Sequence, residues 1–133
     1  MLDNITPYNA LFSEAKEIQS FAEITVSDNP QEIAERISDC GVYIARTGKM
    51  LADAKYHLNS KKREDIMNLI KQIADERLSA KVQNSIIDSL CKDEQYLVGW
   101  IERLNRAITH QQDACRSLLS YEKEQLRILN YQK

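Results

Sequence analysis

Ile33-Ala34-Glu35-Arg36-Ile37-Ser38-Asp39-Cys40-Gly41-Val42-Tyr43-Ile44-Ala45-Arg46-Thr47-Gly48-Lys49-Met50-Leu51-Ala52-Asp53-Ala54-Lys55-Tyr56-His57-Leu58 is the stretch whose reading decides the fold. Ile33, Ile37, Cys40, Ile44, Thr47, Leu51, Ala54 and Leu58 step by four and three without a break. A repeat of about 3.5 residues marks a helix that packs lengthwise on a partner. At ~1.5 Å per residue, a helix from about 30 to 60 runs roughly 45 Å, so its partner must be another long helix. Gly41 and Gly48 lie on this helix, where each costs up to ~1 kcal/mol relative to Ala. Their expected return is the close approach of another backbone.

The partner is found further along the chain. Leu97, Ile101, Leu104, Ile108, Gln111, Cys115 and Leu118 repeat the same alternation, and no proline after Pro30 stops the helix before about Leu129. Between the two rods, Asn59-Ser60-Lys61-Lys62 interrupts the pattern. Ile66, Leu69, Ile70 and Ile73 then give a shorter helix to about Leu78, and Ser79 caps another through Val82, Ile86 and Leu90. Before them, Thr6-Pro7 opens an amphipathic helix carrying Leu11, Ala15, Ile18 and Ala22, and Ser27-Asp28-Asn29-Pro30 separates it from the first rod. The expectation is an all-α, elongated bundle of two long antiparallel heptad-bearing helices with two or three shorter ones. Residues 1–29 read as an acidic N-terminal appendage helix and 30–133 as the main helical bundle.

Composition agrees. The 133-residue chain has only three Gly and two Pro, too little turn chemistry for a β-protein. Cys40, Cys91 and Cys115 are odd in number and far apart, which suits small core residues of a reduced, cytoplasmic protein better than a disulfide framework or a zinc knuckle. The opening residues lack the order of a signal peptide, and no apolar run approaches the ~18 residues of a membrane span, so no membrane partner is expected. The net charge is −2, with residues 1–29 acidic and residues 30–63 basic. That weak dipole suits helix pairing or self-association better than an autonomous duplex-DNA binder, which needs a concentrated basic face.

Each rod carries a polar interruption. On the first it is Arg46, Thr47, Lys49, Asp53, Lys55 and His57; on the second it runs from Arg103 and Asn105 through Thr109, His110, Gln111, Gln112 and Asp113 to Arg116. Asp53 with His57, and His110 with Asp113, sit at helical spacings that share a face, so the four are the candidate metal ligands. Against them, dimetal bundles use Glu-x-x-His pairs, which this sequence lacks. Hydrogen-bonded layers that fix helix register are the plainer reading, with no metal and no cofactor. No phosphate loop or nucleophile elbow is present, and the chain reads as a non-enzyme. Lys61, Lys62 and Arg63, with Arg103 and Arg106, are the candidate nucleic-acid contacts. Trp100, Tyr96 and Leu126 are candidate interface residues. They accompany an expected second exposed stripe of Ala45, Ala52, Ile87, Val98, Leu119 and Leu126.

The segments Ala45 to Leu58, Asp93-Glu94-Gln95-Tyr96-Leu97-Val98-Gly99-Trp100-Ile101-Glu102-Arg103-Leu104-Asn105, and Thr109-His110-Gln111 with Asp113 resemble small helical proteins of bacteriophages and prophages, of unassigned function. The resemblance spans about residues 30–125 and rests on helix-face patterns. It implies a phage-related setting among early, DNA-metabolism genes and transfers no catalytic residue. Two expectations follow: a helical protein that self-associates as a homo-oligomer or docks on another protein, or an accessory nucleic-acid binder in replication or recombination. A metal-dependent helical enzyme is a distant third.

Overall fold

The computed structural model describes residues 4–72 and 78–131. Four helices follow one another: α1 (Tyr8–Ala22), α2 (Pro30–Gln72), α3 (Ala80–Leu90) and α4 (Lys92–Tyr131). The protein is an all-α bundle in which the long α2 and α4 pack against each other, and the described residues contain no strand.

The two seams meet as their spacing predicts. Gln112 Nε2 donates to the Ile37 carbonyl at 3.1 Å, and Asn105 Nδ2 donates to the Ile44 carbonyl at 3.1 Å. Seven residues up α2 thus match seven down α4, which makes the pair antiparallel. Ile33, Cys40, Thr47 and Ala54 of α2 are buried, as are Leu97, Ile101, Leu104, Ile108 and Cys115 of α4. Ile37, Ile44, Leu51 and Leu58 flank the seam and are half-buried. Met50, which the four-three count skips, is fully buried as well.

α1 enters the same core. Its Leu11, Ala15 and Ile18 are buried in one cluster with Cys40, Met50, Leu97, Ile101 and Leu104, so residues 8–22 pack on their own chain. Pro7, not Thr6, stands at the N-cap position, and no side chain caps the helix. Thr6 is occupied elsewhere, as described below.

Three expectations are corrected. Asn59-Ser60-Lys61-Lys62 does not break the helix, and α2 runs uninterrupted for 43 residues, about 65 Å at ~1.5 Å each. Asn and Ser cost only tenths of a kcal/mol each inside a helix. Just beyond them, Lys61 and Asp65 form an i,i+4 pair at 3.0 Å that supports the continued turn. The expected separate helix from Ile66 is therefore the end of α2, and its part at 73–77 lies outside the described residues. Second, Ser79 does cap α3, its Oγ accepting from Val82 N–H at 3.2 Å, but the buried face is different. Ile87 is 9% exposed, whereas Val82 and Leu90 are 43% and 52% exposed. Third, no backbone approaches the glycines. A Cβ on Gly41 would meet only the Gln112 side chain at 3.4 Å, and one on Gly48 would meet nothing within 4 Å.

Candidate functional site

The polar run on α2 has a physical purpose: it fastens the segment that precedes α1. Arg46, Lys49, Asp53 and His57 recur at three- and four-residue steps, so they share one helix face. Thr6 N–H donates to Asp53 Oδ2 at 3.0 Å, and the Thr6 carbonyl accepts from His57 Nε2 at 2.7 Å. Because a carbonyl can only accept, that contact fixes the proton on Nε2. The Thr6 hydroxyl accepts from Arg46 at 3.1 Å, and Lys49 Nζ donates to the Asn4 carbonyl at 3.0 Å and to Asp53 Oδ1 at 2.5 Å. Arg46 also forks onto Glu14 of α1, at 2.6 and 2.7 Å. The acidic α1 and the basic stretch of α2 thus meet through a paired, two-point contact.

Asp53 is 3% exposed. Burial alone would raise its carboxyl, but hydrogen bonds from Lys49 and from Thr6 outweigh burial and hold it below the usual carboxylate range. With both oxygens taken, Asp53 is a structural anion and is not positioned as a free base.

The polar run on α4 is spent on register and on the exit from α1. Asn105 Nδ2 reaches Thr47 Oγ1 at 2.9 Å as well as the Ile44 carbonyl. Gln111 Nε2 donates to the Ala22 carbonyl at 2.6 Å, and its Oε1 accepts from Arg36 at 2.8 Å. Arg36 is nearly buried; its guanidinium lies over the Phe21 ring at 3.9 Å and donates to the Phe21 carbonyl at 2.9 Å. The last carbonyls of α1 therefore find donors on α2 and α4. Sequence reading passed over Arg36, since a long charged side chain at a flanking position resembles any solvated one. Its only signal was adjacency to the seam residue Ile37.

The four candidate metal ligands do not converge. By the seven-for-seven register, Asp53 and His57 lie about 17 residues along the pair from the place opposite His110 and Asp113, about 25 Å away. His110 and Asp113 are exposed, and Asp113 faces Arg116 at 3.4 Å. Among the described residues, no group of three or more His, Cys, Asp or Glu is placed to hold a metal ion.

The basic candidates likewise form two separate places. Lys61 pairs with Asp65 at 3.0 Å, beside the half-buried Lys62 and the exposed Arg63. Arg103 and Arg106 sit far down α4, where Arg106 pairs with Glu102 at 2.9 Å. Asp65 is buried and also accepts from Cys91 Sγ at 3.3 Å. Lys61 keeps the Asp65 carboxyl low. Burial, then the neighbouring Asp65 carboxylate, pushes the Cys91 thiol up to about 11.

Trp100 serves the chain itself. Its indole N–H donates to Gln19 Oε1 of α1 at 3.0 Å, and its ring meets Phe12 edge-on at 5.5 Å, so it docks α1 on α4. Tyr96 neighbours it at 6.1 Å and is 65% exposed. Of the expected second stripe, Ala45, Ala52 and Leu126 are exposed and Leu119 is half-buried. Ile87 is instead buried, and Val98 packs against the core. That stripe is not continuous, because α3 folds Ile87 inward.

Most of the large apolar side chains left in solvent lie toward the two ends of the rod. Ile66, Met67 and Ile70 of α2, with Val82 and Leu90 of α3, form one group. Tyr121, Leu126, Ile128, Leu129 and Tyr131 of α4 form the other. Val42, Tyr56 and Tyr96 are also exposed between them, as single side chains. No helix among the described residues is long and apolar enough to cross a membrane. No protein-family model, curated protein or solved structure matches the chain.

Proposed function

We propose that this is a non-enzymatic helical interaction protein of a phage or integrated element, which works by presenting apolar helix faces to protein partners. The observation that carries the reading is the division of labour along the rod. The polar clusters most suggestive of chemistry are consumed by internal contacts at Thr6, Ala22, Ile37 and Ile44. Most of the exposed large apolar side chains lie toward the two ends, with Val42, Tyr56 and Tyr96 as the mid-rod exceptions. Scattered apolar side chains on a surface are ordinary, but grouped ones mark contact sites.

The test is site-specific photo-crosslinking in the cells that produce the protein, with the photoreactive residue at position 82, 90, 126 or 129 and at the mid-rod control position 45. Adducts of discrete mass from either end, and none from position 45, are the expected result. Absence of adducts from all four end positions overturns the reading.

A further inference from the structure

We infer that the cleft between the start of α1 and the start of α4 binds an ammonium cation, held by the rings of Tyr8, Phe12 and Tyr96 beside the Asp93 carboxylate. None of these residues belongs to the two apolar groups, so this inference and the reading above fail separately.

The helical spacing builds the cleft. Tyr8 and Phe12 are four residues apart and share one face of α1, while Asp93 and Tyr96 are three apart and share one face of α4. Where the two faces meet they leave a cleft of about 380 Å³, lined by Tyr8, Asn9, Phe12, Asp93 and Tyr96. The Tyr8 hydroxyl donates to the Asp93 carbonyl at 3.4 Å and ties the two helices together at this end. Trp100, one turn beyond Tyr96, backs the cleft, its ring 5.5 Å from that of Phe12 and 6.1 Å from that of Tyr96.

The wall decides the class of ligand. Three of the five lining residues are aromatic, in a chain that is only 7% aromatic. Ring faces carry partial negative charge and attract cations, ammonium groups above all. The chain shows this itself, since Lys16, outside the cleft wall, sets its ammonium over the Phe12 ring at 4.9 Å. Burial, then the carboxylates of Asp93 and Glu94, raises the Tyr8 phenol, so the surrounding charge has the sign that favours a cation. No base is among the lining residues, which argues against an anion. Lys16 is the charge that opposes an incoming cation, and Asp93 in the wall offsets it. The shared chemistry is an ammonium head group, carried by a lysine side chain of a protein partner or by a small alkylammonium compound.

Trp100 is the single tryptophan, and its fluorescence reads the cleft directly. The full chain is titrated with tetramethylammonium chloride and, separately, with Nα-acetyl-lysine amide, each against sodium chloride at equal ionic strength. The expected result is a saturable change with at least one ammonium and none with sodium, at a Kd on the order of 1–10 mM. Asp93→Asn and Tyr96→Leu should each weaken it about fivefold, and Lys16→Gln should tighten it. Asp93 and Tyr96 are exposed, so unchanged helical circular dichroism shows that these variants are folded. A response to the lysine amide alone assigns the cleft to a protein side chain, and a response to tetramethylammonium alone assigns it to a small compound. No saturable response to either ammonium overturns the inference, as does a response that both Asp93→Asn and Tyr96→Leu leave intact. Weaker binding in Lys16→Gln overturns it too, because the cleft would then depend on a base.

Discussion

α4 contains two regions that both carry several large apolar side chains and differ in circumstance. From Leu97 to Cys115 its apolar positions are buried against α2 and α1; from Tyr121 to Tyr131 its apolar positions are exposed. Both stretches are helix, but the four-three step that places Leu97 to Cys115 on one side falls on Glu122 and Gln125 in the second. The difference teaches that an apolar side chain is covered only where the four-three step and a neighbouring helix coincide. What covers it depends on where the neighbouring helix starts, and here that is fixed by Pro30.

The comparison can be broken most directly by deleting side chains in each half. Ile101→Ala removes fully buried atoms from the centre of the three-helix core and is expected to cost about 3 kcal/mol in urea unfolding. Leu129→Ala, at a 55% exposed position, is expected to stay within about 0.5 kcal/mol. Comparable losses at the two sites would mean that the free end is buried after all. Asn105→Ala should cost about 1–2 kcal/mol, since it leaves the Thr47 hydroxyl and the Ile44 carbonyl without that donor.

A pH series separates the clamp from the free end. Asp53 has a lowered folded pKa, so its contribution is fully present above the unfolded value of about 3.9 and is lost as pH falls through the lower folded value. Circular dichroism melts between pH 5 and 2 should show a falling Tm, with a shallower fall in Asp53→Asn. The same slope in wild type and variant would take Asp53 out of the account. Cys91, with its thiol near 11, should resist iodoacetamide at pH 8 in the folded chain, where only ~0.1% is thiolate; mass spectrometry after urea should show it modified. An effect of opposite sign is expected at Gly48→Ala. Nothing lies within 4 Å of the new methyl, and the helix should gain up to about 1 kcal/mol.

The seams were readable because Ile33 to Leu58 and Leu97 to Leu118 each repeat over several turns, and a long repeat is what a lengthwise contact requires. The end of α2 was not, because Asn59 and Ser60 look like breakers while the Lys61–Asp65 pair that carries the helix past them scores as ordinary surface charge. On α3 the stripe Val82, Ile86, Leu90 is as regular as any. Ile87 is buried instead because α3 is short and its neighbours dictate which side turns inward. The clamp on Thr6 was half visible. Asp53 and His57 stood out as polar residues on one face, but their partners are the backbone N–H and carbonyl of Thr6, 47 and 51 residues away, and no local pattern encodes that. The same holds for Gln111 and Arg36, whose partners are carbonyls at the end of α1.

The long α2 also makes the molecule a measuring rod. One uninterrupted helix spaces the surface near Ile66 and Ile70 from the surface near Leu126 by a set number of turns, with a set angle between them. Adding a single residue to α2 alone would lengthen it by ~1.5 Å and swing everything beyond through ~100°. Length changes that preserve orientation must therefore come as sevens, each adding ~10.5 Å and inserted at matched positions in α2 and α4 together.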